Sequence, residues 1–221
     1  MFRLDNGQVY RTDALDLPWL EHGFGTRASS NWPGVQKLAT LRQIHSNKVV
    51  VATRPGDLGD GDALISNVPG LTLAIRTADC LPVLIADPEN RAVAAVHAGW
   101  RGTVQEIVIE AIRAMSAEYG SRRENLVIAV GPGIGGCCYE VGPEVAEQFS
   151  RFFPERQDLH GTTKIDLPES TIRQLRRNGG RAGQIDSSGL CTRCLADQFH
   201  SYRRDGQAAG RMVSALGIKL A

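Results

Sequence analysis

Two apolar runs, Leu81–Asp87 and Arg91–His97, are separated only by Pro88-Glu89-Asn90, and this arrangement constrains the fold more than any other feature of the chain. Both read as strands, and the short turn between them makes an antiparallel hairpin. In such a pair Cys80 and His97 fall near the same end of neighbouring strands. This is the one meeting of reactive side chains that local structure alone supports.

Lys48–Thr53 and Leu71–Arg76 read as further strands. Val104, Ile107, Val108, Ala111, Ile112 and Met115 recur at helical spacing on one face. Thr103 with Glu106 has the form of a capping box, which predicts a helix starting just after His97-Ala98-Gly99-Trp100-Arg101-Gly102. Its free amides and positive dipole end would then favour an anion beside His97, with Arg101 a phosphate or carboxylate ligand. A strand is predicted over Asn125–Val130, and helices over Pro143–Phe153, Pro168–Asn178 and Cys194–Arg203. Strands that pair with sequence neighbours, with helices set apart, indicate an α+β class. The expectation is a single-domain layered fold over 1–221, with central mixed or antiparallel sheets flanked by helices.

Composition narrows the function classes. The hydrophobic fraction of 42% supports a conventional core. A net charge of +1 gives no broad attraction to nucleic acid or anionic membrane, so neither is expected as a partner. No apolar run approaches the ~18 residues of a membrane span. Met1-Phe2-Arg3-Leu4-Asp5 reaches an acid too early for a signal peptide. Five cysteines, an odd count, then suggest reduced thiols and a cytoplasmic setting.

His45, Cys80 and His97 each lie where a β-like run must turn. Two imidazoles and a thiolate suit a zinc site with an open fourth position. Read singly, each histidine is an ordinary surface or capping residue and the cysteine a core residue. Gln43 lies two residues before His45, hence on the same face if the strand continues. Arg76 is a charge inside an apolar strand, so it is paired or faces a cleft. Asp79 beside Cys80 is a supporting ligand or a turn residue. Trp100 reads as packing or a stacking wall. Cys191-x-x-Cys194 is half a zinc ribbon or a redox pair by pattern, but there is no second such pair, and two ordinary thiols are the simpler expectation. His22 reads as architecture, and His160 and His200 as surface residues.

Longer words in the chain resemble the laccase-domain family, also called the multicopper polyphenol oxidase or peptidoglycan editing factor family. They are Gly61-Asp62-Ala63-Leu64-Ile65, Pro69–Val83 with Thr77-Ala78-Asp79-Cys80, His97–Gly102, Gly131–Val141 and Ser201-Tyr202-Arg203-Arg204-Asp205-Gly206. The resemblance runs from about His22 to the C-terminus, and several words in one order are more specific than any single motif. It implies an α+β layered fold and places His45, Cys80 and His97 as metal ligands and catalytic residues. It puts Gly131–Gly136 close to the active site, with Cys138 lining the pocket. Arg27, in a matching N-terminal word, becomes a substrate contact alongside Gln43, Arg76 and Arg101. One departure stands out: only Ala28–Arg42, with Asn31-Trp32-Pro33-Gly34, separates the Thr26-Arg27 and Gln43 words, where relatives carry a longer, glycine-rich segment.

For activity, the resemblance implies a zinc enzyme of purine nucleosides. It would carry out phosphorolysis of adenosine, inosine and methylthioadenosine, and deamination of adenosine, with phosphate as the second substrate. Two alternatives use the same residues. One is a cysteine or metal hydrolase editing peptidoglycan precursors, with Cys80 as nucleophile and His97 or His45 as base. The other is a copper-dependent polyphenol oxidase. Multicopper oxidases need many histidines and a blue-copper cluster, whereas this chain has five histidines in all. Copper in the single site remains compatible with the ligand set, since copper binds such donors more tightly than zinc. Sequence leaves the choice between monomer and dimer open.

Overall fold

Leu81–Asp87 and Ala92–Ala98 pair antiparallel, with His97 opposite Pro82 and Ala98 opposite Leu81. The computed structural model describes residues 1–29, 31–34 and 37–220. Ser30, Val35 and Gln36, within the shortened Ala28–Arg42 segment, lie outside the described residues.

In chain order the strands begin β1 (Phe2–Asp5), β2 (Val9–Thr12), β3 (Leu20–Gly25), β4 (Leu38–Arg42), β5 (Val49–Val51), β6 (Gly56–Asp60), β7 (Ala63–Ser66) and β8 (Thr72–Thr77). They continue as β9 (Leu81–Asp87), β10 (Ala92–Ala98), β11 (Val127–Val130), β12 (Glu140–Val141), β13 (Thr163–Lys164), β14 (Ile185–Ser187) and β15 (Met212–Ile218). The α-helices are α1 (Trp100–Val104), α2 (Ile107–Tyr119), α3 (Pro143–Ala146), α4 (Leu167–Arg177) and α5 (Tyr202–Asp205). One mixed sheet has the order β1-β2-β3-β15-β8-β4-β6, and a second has β14-β11-β9-β10-β7-β5. This is the α+β layered architecture that the strand pattern predicts.

The period-2 alternation of strands explains the layers. On β9, Leu81, Val83 and Ile85 pack against α2 and α4, while Leu84 and Ala86 face the other sheet. On β10, Ala92, Ala94, Val96 and Ala98 take the helix side, and Val93 and Ala95 the sheet side. The second sheet is therefore covered on both faces, which is why its central strands are apolar throughout. Leu73 and Ile75 of β8, Phe24 of β3 and Leu216 of β15 close the inter-sheet core. Each fully buried aliphatic side chain of this kind contributes about 1.5–3 kcal/mol.

Several local expectations are corrected. The helix after His97 begins at Trp100, with Gly99 as N-cap and no side-chain cap. Glu106 then adopts a left-handed conformation, φ 59°, and separates α1 from α2. Thr103 lies inside α1 with its hydroxyl buried and unpartnered among the described residues, so no capping box forms. A helix as short as α1 brings little dipole to the site. Pro143–Phe153 is helical only to Ala146 before tightening to a 3-10 turn at Glu147–Phe149. Cys194–Arg203 is mostly irregular, with helix only from Tyr202. Gln43 and His45 follow the end of β4 instead of sharing a strand face, and His45 has φ 59°. His200 is half-buried, unlike the exposed His160.

Candidate active site

The two sheets converge where β9 starts and β10 ends. His97 is the penultimate residue of β10, Cys80 immediately precedes β9, and His45 comes from the irregular segment after β4. Their ligand atoms all lie within 4.8 Å of one another. Cys80 Sγ is 3.9 Å from His45 Nε2, and the two imidazole rings meet edge to face with centroids 4.9 Å apart. Zinc ligands at about 2.3 Å for sulfur and about 2.0–2.1 Å for nitrogen stand about 3.5 Å apart in a tetrahedron. The group therefore fits a divalent ion after a small contraction. Gly99 makes the approach possible, since a Cβ there would stand 3.0 Å from both Cys80 Sγ and His45 Cδ2.

A residue without a role in the sequence reading organises the group. Asp62 is fully buried. Its Oδ1 lies 2.8 Å from His97 Nδ1 and accepts from His45 N at 3.0 Å. Its Oδ2 accepts from Ser46 N at 2.6 Å and from the Ser46 hydroxyl at 2.7 Å. With Nδ1 held by Asp62, His97 is left with Nε2 for a ligand. The available signal was an acid at the mouth of the apolar run Ala63-Leu64-Ile65, where a buried charge requires partners.

The electrostatics agree with this arrangement. Burial opposes charge on Cys80, but hydrogen bonds from His45 and His97 outweigh it and bring the thiol down to about 6. Burial likewise opposes the His97 cation, yet Asp62 and Cys80 raise its pKa to about 9. Burial also pushes the Asp62 carboxyl upward, and the donors His97 and Ser46 bring it down to about 2. Together these shifts favour thiolate at Cys80 and imidazolium at His97.

Asp79 serves to hold the chain in place. Its carboxylate accepts from Thr192 Oγ1 at 2.6 Å, Ser201 Oγ at 3.0 Å and Arg203 N at 2.6 Å. It thus fastens the C-terminal segment beside Cys80. Gln43 forms a paired contact with the backbone of Arg76, donating to its carbonyl and accepting from its amide, each at 2.8 Å.

A cavity of about 780 Å³ opens over His45, Cys80 and His97. Gln43, Arg76 and Arg101 line it, joined by Arg203 and Arg211. Among the described residues, none of these four arginines makes a salt bridge with an acid. Arg101 stacks on Trp100 at 4.3 Å, and Arg203 stands over Tyr139 at 5.2 Å. Trp100, Tyr139 and Tyr202 supply aromatic wall. Arg27 and Cys138 do not line the cavity. Arg27 donates to Ala196 O at 2.8 Å, and Cys138 Sγ lies 3.4 Å from Cys194 Sγ. His22 is buried and accepts from Thr12 N at 3.0 Å. Tyr139, Tyr202, Arg203 and Arg211 lie far along the chain from His45, Cys80 and His97, so spacing could not have joined them to that group.

Residues 26–219 match the model of a family described as multi-copper polyphenol oxidoreductase laccase. A Deinococcus radiodurans protein named purine nucleoside phosphorylase is 42% identical over 185 residues, covering 81% of this chain and 70% of its own length. A Bacteroides thetaiotaomicron protein of the same name is 41% identical over 163 residues, covering 71% of this chain and 60% of its own length. The crystal structure of the Bacillus licheniformis hypothetical protein YfiH superposes with a TM-score of 0.85 at 27% identity, covering 99% of each chain.

Proposed function

This chain belongs to the multi-copper polyphenol oxidoreductase laccase family, and on that premise we propose that it is a metal-dependent enzyme acting on purine nucleosides with phosphate. The observation that carries the reading is the cavity itself: a His-Cys-His group at its base, aromatic walls, and four arginines without acidic partners. A volume of about 780 Å³ accommodates a nucleoside together with phosphate. Relatives named purine nucleoside phosphorylase point the same way.

His45, Cys80 and His97 would hold the ion, zinc by donor preference and open geometry, with copper accepted by the same donors. When bound, such an ion supplies Lewis acidity for replacing the 6-amino group of adenosine and for stabilising charge on a departing base. Asp62 fixes the His97 ring so that Nε2 faces the cavity. All four arginines are exposed at the cavity, but Arg203 donates to Glu140 O and Arg211 to Ala209 O and Gly210 O, so Arg76 and Arg101 would receive phosphate, and their fork geometry suits its oxygens. Trp100 and Tyr202 offer faces for the purine. Gln43 holds the Arg76 backbone in place, and its amide is occupied in doing so. In phosphorolysis a phosphate oxygen bonds to C1′ as the glycosidic bond breaks, and the base leaves with the electron pair. Substrates of this reading are adenosine, inosine and methylthioadenosine.

The thiolate–imidazolium balance at Cys80 and His97 favours a second reading, a cysteine hydrolase acting on peptidoglycan precursors. A multicopper oxidase is less well supported, because the described residues offer one histidine-containing ligand group and a group of four cysteines.

The test is metal content of protein purified without chelator, with adenosine and inosine turnover measured with and without phosphate. Phosphate-dependent release of base, lost together with one equivalent of metal in His97→Ala, is the expected result. Turnover of neither nucleoside by metal-replete protein, with rapid alkylation of Cys80 abolishing amide hydrolysis, would establish the hydrolase instead.

A further inference from the structure

We propose that Cys137, Cys138, Cys191 and Cys194 form a second metal centre, a closed four-thiolate zinc site that fastens one wall of the active-site cavity. Their four sulfurs all lie within 4.8 Å of one another. Cys138 and Cys194 are 3.4 Å apart, Cys137 and Cys194 3.6 Å, and Cys137 and Cys138 3.7 Å. A tetrahedron of sulfurs at about 2.3 Å from zinc has edges of about 3.8 Å. A disulfide would place two sulfurs at about 2.05 Å, and all five cysteines are free.

The backbone around the group supports the same assignment. Gly135 N donates to Cys191 Sγ at 3.3 Å, a bond that favours the thiolate. The two segments are laced together, with Thr192 N donating to Gly133 O at 3.0 Å and Gly133 N to Leu190 O at 3.2 Å. Cys137 and Cys194 are exposed, so apolar burial does not account for the cluster.

Four protein thiolates leave no open position, which makes this a structural site. Its two halves are an adjacent cysteine pair on the turn after β11 and the Cys-x-x-Cys turn that leads toward α5. The first is followed directly by Tyr139, the second leads to Tyr202 and Arg203, and all three line the cavity. Zinc here would join the two segments covalently in a protein whose active-site ion is held elsewhere.

Full-length protein, purified reduced and without chelator, decides the matter by zinc analysis and native mass spectrometry. The His97→Ala variant isolates the second centre from the first. It is expected to retain one zinc per chain, and Cys194→Ser in that background to lose it. Cobalt exchanged into His97→Ala should give an intense thiolate-to-cobalt charge-transfer band with tetrahedral d–d bands, a signature independent of catalysis. Wild-type protein should bind two equivalents. Should wild-type protein hold one equivalent, with Cys137, Cys138, Cys191 and Cys194 all alkylated at once or found as disulfides, the proposal is overturned. Neither result depends on nucleoside turnover.

Discussion

Asp62 Oδ1 stands 2.8 Å from His97 Nδ1 in a fully buried setting. The same carboxylate accepts the amides of His45 and Ser46. One acid thereby aims a ring on β10 and shapes the segment that presents a second ring from after β4. The two ends of the site are coupled through a charge that sequence order does not connect.

Replacing that acid with its amide tests the coupling. Asp62→Asn keeps the volume but removes a carboxylate that accepts from several donors at once. Metal affinity is expected to fall about 10–100-fold, measured by competition with a chromogenic chelator. An unchanged affinity in a folded variant would show that Asp62 does not orient His97 for a metal.

Gly99→Ala probes the spacing of the ligands directly. The added methyl would sit 3.0 Å from Cys80 Sγ and from His45 Cδ2, so one of them must move. Its effect on stability should be small, within about 1–2 kcal/mol, since overpacking at a partly open site can relax. Loss of the active-site metal, with the melting transition retained, is the expected outcome; full occupancy would mean that the ligands tolerate the displacement.

Asp79→Ala leaves the Thr192 hydroxyl, the Ser201 hydroxyl and the Arg203 amide without their acceptor. Buried donors stripped of a partner cost about 1–3 kcal/mol each, though they share relief through water. A loss of about 2–4 kcal/mol in urea unfolding is expected, together with faster amide exchange across 199–205. A change under about 0.5 kcal/mol would show that the C-terminal segment is held by other contacts.

His22 makes stability depend on pH. Burial, followed by the nearby Arg11 cation, lowers its pKa to about 4, and its Nε2 accepts from Thr12 N and so must stay unprotonated. The unfolded chain binds this proton below about 6.5 and the folded chain only near 4. The contribution of His22 is therefore complete above pH 6.5 and declines as pH falls toward 4, by about 3 kcal/mol in all. His22→Gln, whose amide oxygen can still accept from Thr12, should flatten that decline when urea midpoints are compared from pH 7.5 to 4.5. Parallel curves for the two proteins would count against the assignment.

The hairpin, α4 and the residue types of the site are encoded locally. Alternation along Leu81–Asp87 and Arg91–His97 and the turn between them define the pairing, which brings Cys80 beside His97. Asp166, whose side chain accepts from Glu169 N, and the following proline set the start of α4. The break at Glu106 was hidden because Thr103 and Glu106 have capping residues' chemistry while Thr103 is buried inside a turn. Cys191 and Cys194 looked incomplete because their partners are an adjacent pair more than fifty residues earlier, not a second copy of the same spacing.

Sequence by itself determined the strands over Leu71–Arg76, Leu81–Asp87, Arg91–His97 and Asn125–Val130 to within a few residues, because hydrophobic alternation and turn chemistry act over a few residues. Together with its longer motifs it marked His45, Cys80 and His97. Only the tertiary structure decided that Asp62 would serve two of them, that Gln43 would grip the backbone of Arg76, and that Arg76, Arg101, Arg203 and Arg211 would surround one cavity. Those meetings depend on how two sheets stack and how long loops close. A chain's local pattern carries almost no record of such closures, since their cost grows only slowly with loop length and many pairings compete.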